Sequence, residues 1–83
     1  MPHVDELLGP ASLAAAGQLQ LANQQFALTA QASGIGEFRA GNLAEAETAL
    51  RESVRLDPRL AHAWYYLGET ARVRGDWYSA QTA

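Results

Sequence analysis

The sequence matches itself at an offset of 34 residues. Between residues 27–49 and residues 61–83, six of the 23 aligned positions are identical. The first copies are Ala27, Gly34, Gly41, Ala46, Thr48 and Ala49, and the second copies are Ala61, Gly68, Gly75, Ala80, Thr82 and Ala83. A fixed period of this length is typical of helical units that stack on one another. The period therefore predicts a surface for interaction rather than an active site.

The second copy resembles a tetratricopeptide repeat (TPR). The family's pattern is a tryptophan, a Leu-Gly pair three residues on, and an alanine twelve residues after that glycine. These positions are Trp64, Leu67, Gly68 and Ala80. The resemblance implies antiparallel helix pairs that bind a protein or a peptide, and it implies no particular partner.

The first copy, residues 27–60, resembles the family less closely. It matches through Gly34, Ala46, Leu50 and the closing Asp57-Pro58. It departs at positions where the family is usually bulky, which are Ala30, Ser33 and Glu37. We therefore expect a degenerate TPR unit over 27–60 and a second unit over 61–83 that is truncated in its second helix.

The predicted fold class is all-α, with helix-turn-helix repeats behind an N-terminal capping or extended helix. Residues 1–10 are expected to be a flexible arm, because proline and glycine punctuate them. Residues 11–26 are expected to be a helix that continues into the repeat, with Ser12 as its N-cap. A kink near residues 23–25 is the alternative. A helical spacing of three and four joins one line of positions, Leu19, Ala22, Phe26, Ala30 and Ser33.

A second apolar line, formed by Leu21, Leu28 and Ile35, lies on the opposite side of this helix. A helix that is apolar on two sides must pack against another element on each side. On one side, this element is the repeat's second helix. Since residues 7–36 carry no charge, the other side suits either a simple capping helix or an oligomer contact.

Local signals divide the rest of the chain. Gly41 is expected to stop the first helix and Asn42 to cap a second helix from Leu43. The predicted buried face of this second helix consists of Ala46, Ala49, Leu50, Ser53, Val54 and Leu56. On its surface, Glu47 and Arg51 form one possible ion pair, and Glu52 and Arg55 form another. Asp57-Pro58 ends that helix. A third helix from Leu60 to Arg74 is expected to stop at Gly75, where Asp76 caps a last, short helix.

The small residues predict where helices approach closely. Gly34 is expected to meet Ala46, and Gly68 to meet Ala80. Because Ala30 and Ser33 fill less space than Trp64 and Leu67, we expect the first helix pair to be the weaker one.

Composition excludes several function classes. The chain has no cysteine, so thiolate chemistry and disulfides are absent. The net charge of −3 argues against nucleic acid as a partner. Residues 7–36 contain six Gln or Asn, which argues against membrane insertion. The N-terminus is acidic rather than basic, so no signal peptide is visible and a cytoplasmic location is expected. All six basic residues are arginine, which we interpret as the coding bias of a GC-rich, bacterial genome.

No constellation of catalytic or metal-binding residues stands out. His3 and His62 are the only histidines, and neither has ligand spacing around it. The sequence contains no nucleophile motif, phosphate loop or paired catalytic carboxylates. We therefore expect no enzymatic activity, no metal and no cofactor.

The TPR resemblance implies that the first helix of each unit lines a concave groove. The residues that it assigns to the groove are Leu28, Gln31, Ile35, Phe38, Arg39, His62, Tyr65, Glu69, Arg72 and Val73. Some family members clamp a terminal carboxylate with lysine and asparagine, but this chain has no lysine, and Ala32 and Tyr66 stand at the asparagine positions. An apolar groove is expected instead. The alternative is that the arm or a second subunit covers this line.

The function predicted from the sequence is non-catalytic protein–protein interaction, as a scaffold or adaptor. The alternatives are a homo-oligomeric self-assembly module and an accessory segment of a larger enzyme or regulator. A last helix that begins near Trp77 has at most about two turns, which are unstable alone. We therefore expect the chain to be part of a longer repeat array or to be completed by another copy.

Overall fold

A computed structural model of the chain describes the backbone of residues 10–82 and the side chains of residues 17–76. Three α-helices pack together: α1 (Pro10–Arg39), α2 (Leu43–Leu56) and α3 (Ala61–Thr82). Residues 10–82 contain no β-strand. The all-α prediction is confirmed. The predicted arm lies almost wholly outside the described residues, as do the side chains of Trp77 and Ala80.

Helix α1 is one uninterrupted helix of 30 residues that runs through residues 23–25 without a break, so the predicted continuity is confirmed. A charge-free run rich in alanine, leucine and glutamine favours this conformation. Ser12 lies inside the helix rather than at its cap. Pro10 is compatible with the first turn, because its missing N–H has no intrahelical partner there in any case.

The turn between α1 and α2 closes as predicted at Gly41. This glycine has φ of +84°. Residues that carry a side chain rarely adopt this left-handed conformation. The N–H of Asn42 donates to the carbonyl of Glu37 (2.9 Å), and that of Gly41 donates to Phe38 (3.1 Å), which together form a Schellman closure. Asn42 occupies the N-cap position of α2, but its side chain donates to Glu37 Oε2 (2.8 Å) instead of capping the helix.

Helix α2 packs on a line of small residues along α1. Gly34 is buried, and a Cβ atom added there would lie 2.5 Å from Leu50 Cγ. The predicted close approach at Gly34 is therefore confirmed, but the nearest contact is Leu50 and not the predicted Ala46. Further along α1, the buried Ser53 hydroxyl donates to the Ala27 carbonyl (2.7 Å). This bond satisfies a polar group in the interior and fixes the register of the two helices.

The second turn is built on a carboxylate. Asp57 leaves α2 with extended backbone angles. Its Oδ1 accepts from the backbone N–H of Arg59 (3.1 Å) and from the Arg59 Nε (2.9 Å). Trp64 then lies over the turn and donates from Nε1 to the Pro58 carbonyl (2.8 Å). The predicted helix end at Asp57-Pro58 is confirmed.

Helix α3 completes the core. Ala63 is buried with Leu50 and Val54, and half-buried residues pack around this cluster: Ile35, Leu60, Tyr66 and Leu67. Glu47 forms ion pairs with both Arg51, as predicted, and Arg74 of α3. Glu47 therefore ties α2 to α3.

The predicted break at Gly75 is wrong, because α3 continues through Gly75 and Asp76 to Thr82. No helix pair forms within residues 61–82, so the predicted second unit with its truncated second helix is also wrong. Gly68 is exposed, and a Cβ atom added there would meet no other atom within 4 Å, so it is not packed against another helix. The first pair, expected to be the weaker, is the one that forms.

Candidate functional site

A groove of about 780 Å³ runs between α1 and α2, on the side away from α3. Four residues of α1 at spacings of three, one and three form one wall: Phe26, Thr29, Ala30 and Ser33. The other wall belongs to α2 and consists of Ala44, Glu45, Thr48, Ala49, Glu52 and Leu56. Because most of these side chains are small, the two helices leave an open channel between them.

The groove is mainly apolar, with carboxylates on one wall only. Phe26 stands at its end with 63% of its surface exposed. Glu45 and Glu52 supply the charge, and Arg55 pairs with Glu52 through both carboxylate oxygens. The hydrogen bonds from Arg55 hold the pKa of Glu52 below its ordinary value, so this carboxylate is ionised at neutral pH. The groove therefore suits an apolar segment without acidic side chains.

A second depression of about 460 Å³ lies beyond the end of α2 and shares Leu56 with the groove. Its α1 wall contains Leu19, Gln20, Asn23 and Gln24, and its floor is the Asp57–Arg59 turn. Leu19 is 65% exposed. Leu19 and Phe26 are seven residues apart and so lie on one side of α1. An apolar stripe thus continues from the groove along the helix.

The residues predicted to line a concave groove on α1 and α3 divide into two groups. Ile35 packs on the hydrophobic core, and the half-buried Phe38 ring meets Tyr66 edge to face, with centroids 5.6 Å apart. These two side chains join α1 to α3. Gln31, Glu69 and Val73 are also half-buried.

The other predicted groove residues are exposed. They are Leu28, Arg39, His62, Tyr65 and Arg72. Leu28 is 51% and Tyr65 61% exposed. The guanidinium of Arg72 bonds to Glu69 (2.9 Å) and Asp76 (3.2 Å) on its own helix, and the bond to Glu69 lowers the pKa of that carboxyl. The charge of Arg72 is thus balanced by two carboxylates of its own helix.

Sequence reasoning misses the groove between α1 and α2, although its signal is present. Ala30 and Ser33 are small at positions where tetratricopeptide repeats usually have bulky residues. By itself, this difference indicates only that the helix packs weakly there. In the structure α2 packs over Ala27 and Gly34 instead. The small residues beside that contact line therefore become one wall of an open groove. Ala49 and Leu56, predicted as buried, are half-exposed on the opposite wall.

Comparison with family models, with curated proteins and with solved structures gave no significant match. No helix within the described residues combines the length and hydropathy that crossing a membrane requires. The described part of the chain also holds no group of three or more side chains arranged to bind a metal ion.

Proposed function

We propose that this chain is a non-catalytic protein-interaction module that binds an apolar helix in the groove between α1 and α2. The observation that carries the proposal is the groove itself, with the exposed Phe26 at its end. Exposed apolar surface that is continuous and rimmed by polar groups is typical of interaction sites. Helices recognise such grooves through side chains spaced three and four residues apart.

The dimensions of the groove suit a helix as its occupant. Its α2 wall extends from Ala44 to Leu56, which is about 20 Å of helix at 1.5 Å per residue. A partner helix of three to four turns matches that length. Glu45 and Glu52 on the rim disfavour acidic side chains in the partner, so we expect an uncharged or weakly basic segment.

The resemblance to tetratricopeptide repeats supports this proposal from the sequence side. In a stacked array, each helix pair buries one face against the preceding unit. The α1–α2 pair, with Gly34 against Leu50 and a left-handed Gly41, has the features expected of such a unit. We propose that the groove is the surface on which a neighbouring helix stacks. A scaffold or adaptor role, which the sequence predicts, follows from this.

The test is to select helical peptides against the chain from a display library and to map their binding by NMR on the isotopically labelled protein. We expect shift changes concentrated at Ala30, Ser33, Thr48 and Ala49. Ala30→Arg should weaken binding at least tenfold, because it fills the groove. Ala32→Arg is the matched control on an exposed part of α1 outside the groove, and it should bind normally. Shifts centred on Leu28 and Tyr65 would instead assign binding to the α1–α3 face and refute the proposal.

A further inference from the structure

We infer that the occupant of the α1–α2 groove is the N-terminal half of α1 from a second copy of this chain. The inference rests on the proposed function, because it names the partner of the same groove. In a two-fold dimer, each copy would lay its α1 antiparallel to the partner's α1. Each groove would then receive the N-terminal half of the partner's helix.

The N-terminal half of α1 extends beyond the helices that pack on the rest of α1. The five residues from Gly17 to Leu21 are all exposed, whereas Ala22 to Gln24 are half-buried beside the end of α2. Residues 10–21 of α1 span about 18 Å. That length is close to the length of the α2 wall, so the extended segment and the groove match in size.

The positions along α1 are complementary under a two-fold axis at Phe26. Leu19 lies seven residues before Phe26 and Ser33 seven residues after it, so the axis places Leu19 opposite the partner's Ser33. Ala22 falls opposite the partner's Ala30 in the same way. The large Leu19 thus meets a small residue, and Phe26 meets its own copy. Such self-complementarity is what a closed, isologous dimer requires.

Charge favours this occupant over a foreign helix. No charged residue occurs from Leu7 to Gly36, so the inserted segment brings no acidic group to Glu45 or Glu52. A basic helix from another protein would also pair with Glu45. It would leave the exposed Leu19 uncovered, whereas a second copy covers the groove and Leu19 in one interface.

The first experiment is sedimentation equilibrium from low micromolar to millimolar concentration. We expect a monomer–dimer equilibrium for the native sequence. Leu19→Glu should weaken dimerisation at least tenfold, and Leu21→Glu should leave it within about twofold. Both leucines are more than half exposed, so neither change should reduce the helix content measured by circular dichroism. A native chain that remains a folded monomer throughout, or equal weakening by both variants, would overturn the inference.

Cysteine cross-linking tests the symmetry, since the native chain has no cysteine. Under mild oxidation, Phe26→Cys should form a disulfide-linked dimer, because the axis brings the two copies of this position together. An equimolar mixture of Leu19→Cys and Ser33→Cys should form the mixed dimer. Leu28→Cys, on the far side of α1, should not cross-link. Failure of the Phe26→Cys and mixed cross-links, with efficient cross-linking at Leu28→Cys, would overturn the arrangement.

The two proposals fail in different ways. If the chain is monomeric but selected peptides still shift Ala30 and Ser33, the groove binds helices and only the second-copy inference is lost. If the chain dimerises through Leu19 and Phe26, a 16-residue peptide copying residues 10–25 should compete and raise the apparent dissociation constant. If that peptide and the selected peptides all bind the α1–α3 face instead, both proposals are wrong.

Discussion

Two segments 34 residues apart carry the same glycine pattern and adopt different structures. Gly34 and Gly41-Asn42 belong to a helix that ends and folds back. Gly68 and Gly75-Asp76 belong to a helix that continues without a break. Among the described glycines, Gly41 alone has a positive φ. The same residues thus permit a turn in both places, and only one of the two segments forms it.

The difference shows that a helix ends where the following segment gains by folding back. After Gly41, the 14 residues of α2 bury Ala46, Leu50 and Val54 against their neighbours. That burial offsets the cost of opening the helix. After Gly75, α3 continues without a break, and its backbone stays hydrogen-bonded in the helix. We therefore expect contacts, rather than glycines, to control both sites.

The largest effect should come from Leu50→Ala, which removes the side chain that holds α2 on Gly34. Leu50 is fully buried at the junction of the three helices. Truncation should reduce the free energy of unfolding by about 2–5 kcal/mol, as measured by urea denaturation. Leu28→Ala is the matched control, since Leu28 is half exposed, and it should cost less than about 1 kcal/mol. Similar losses for both variants would show that the core is wrongly assigned.

Gly34→Ala and Gly68→Ala should change stability in opposite directions. At Gly34 the new methyl group would lie 2.5 Å from Leu50 Cγ and 2.7 Å from its Cδ2. Such overpacking costs about 1–3 kcal/mol. At Gly68 the space is open, so alanine should stabilise by about 0.5–1 kcal/mol through its helix propensity. Thermal denaturation of both variants measures the two effects, and a loss of stability at Gly68 as large as that at Gly34 would contradict the comparison.

The double variant Gly34→Ala with Leu50→Ala provides a check on the cause of the Gly34 effect. If the clash with Leu50 is responsible, Gly34→Ala should cost little or even stabilise once Leu50 is truncated, giving a coupling of about 1–3 kcal/mol. Additive losses in thermal or urea denaturation would assign the effect of Gly34 to something other than this contact.

Gly41→Ala and Gly75→Ala compare the two potential helix ends directly. Alanine at Gly41 must adopt a left-handed conformation, which costs about 1–2 kcal/mol. Alanine at Gly75 lies inside α3 with no contact within 4 Å, and should stabilise by about 0.5–1 kcal/mol. If Gly75→Ala destabilises the protein in urea denaturation as much as Gly41→Ala does, then Gly75 also ends a helix in solution, as the repeat predicts.

Local signals are enough to predict most of the fold. The uncharged run along α1 predicts one long helix. Gly41 and Asp57-Pro58 predict the boundaries of α2, because each turn depends on the geometry of a few adjacent residues. Four of the six residues predicted to form the buried face of α2 are buried: Ala46, Leu50, Ser53 and Val54.

Features that depend on distant contacts could not be predicted in this way. Whether Gly75 ends a helix depends on what a later segment can bury, and the glycine does not encode that. The groove between α1 and α2 arises because α2 packs over Ala27 and Gly34 rather than over Ala30 and Ser33. Both lines have helical spacing in the sequence, so periodicity alone does not say which one is covered.

The smallest predicted effect is on the pH dependence of the free energy of unfolding, which should differ between variants at the two turns. The turn at Asp57 depends on a carboxylate, whereas the turn at Gly41 depends on backbone conformation. Hydrogen bonds from the Arg59 side chain and backbone N–H hold the pKa of Asp57 below its ordinary value of 3.8. A carboxylate whose pKa is lowered on folding stabilises the protein above that ordinary value, and the stabilisation is lost as pH falls through the lowered pKa.

Asp57→Asn should therefore be less stable than the native chain at pH 5–7, and the difference should shrink as the pH falls below about 4. Asparagine keeps a carbonyl oxygen for the Arg59 N–H but loses the charge that pairs with the guanidinium. Gly41→Ala serves as the control, because its backbone strain involves no proton and its deficit should stay constant over the same range. Urea denaturation of the three chains from pH 3 to 7 measures both differences. A deficit for Asp57→Asn that is as independent of pH as that of Gly41→Ala would mean that the carboxylate's charge does not stabilise the second turn.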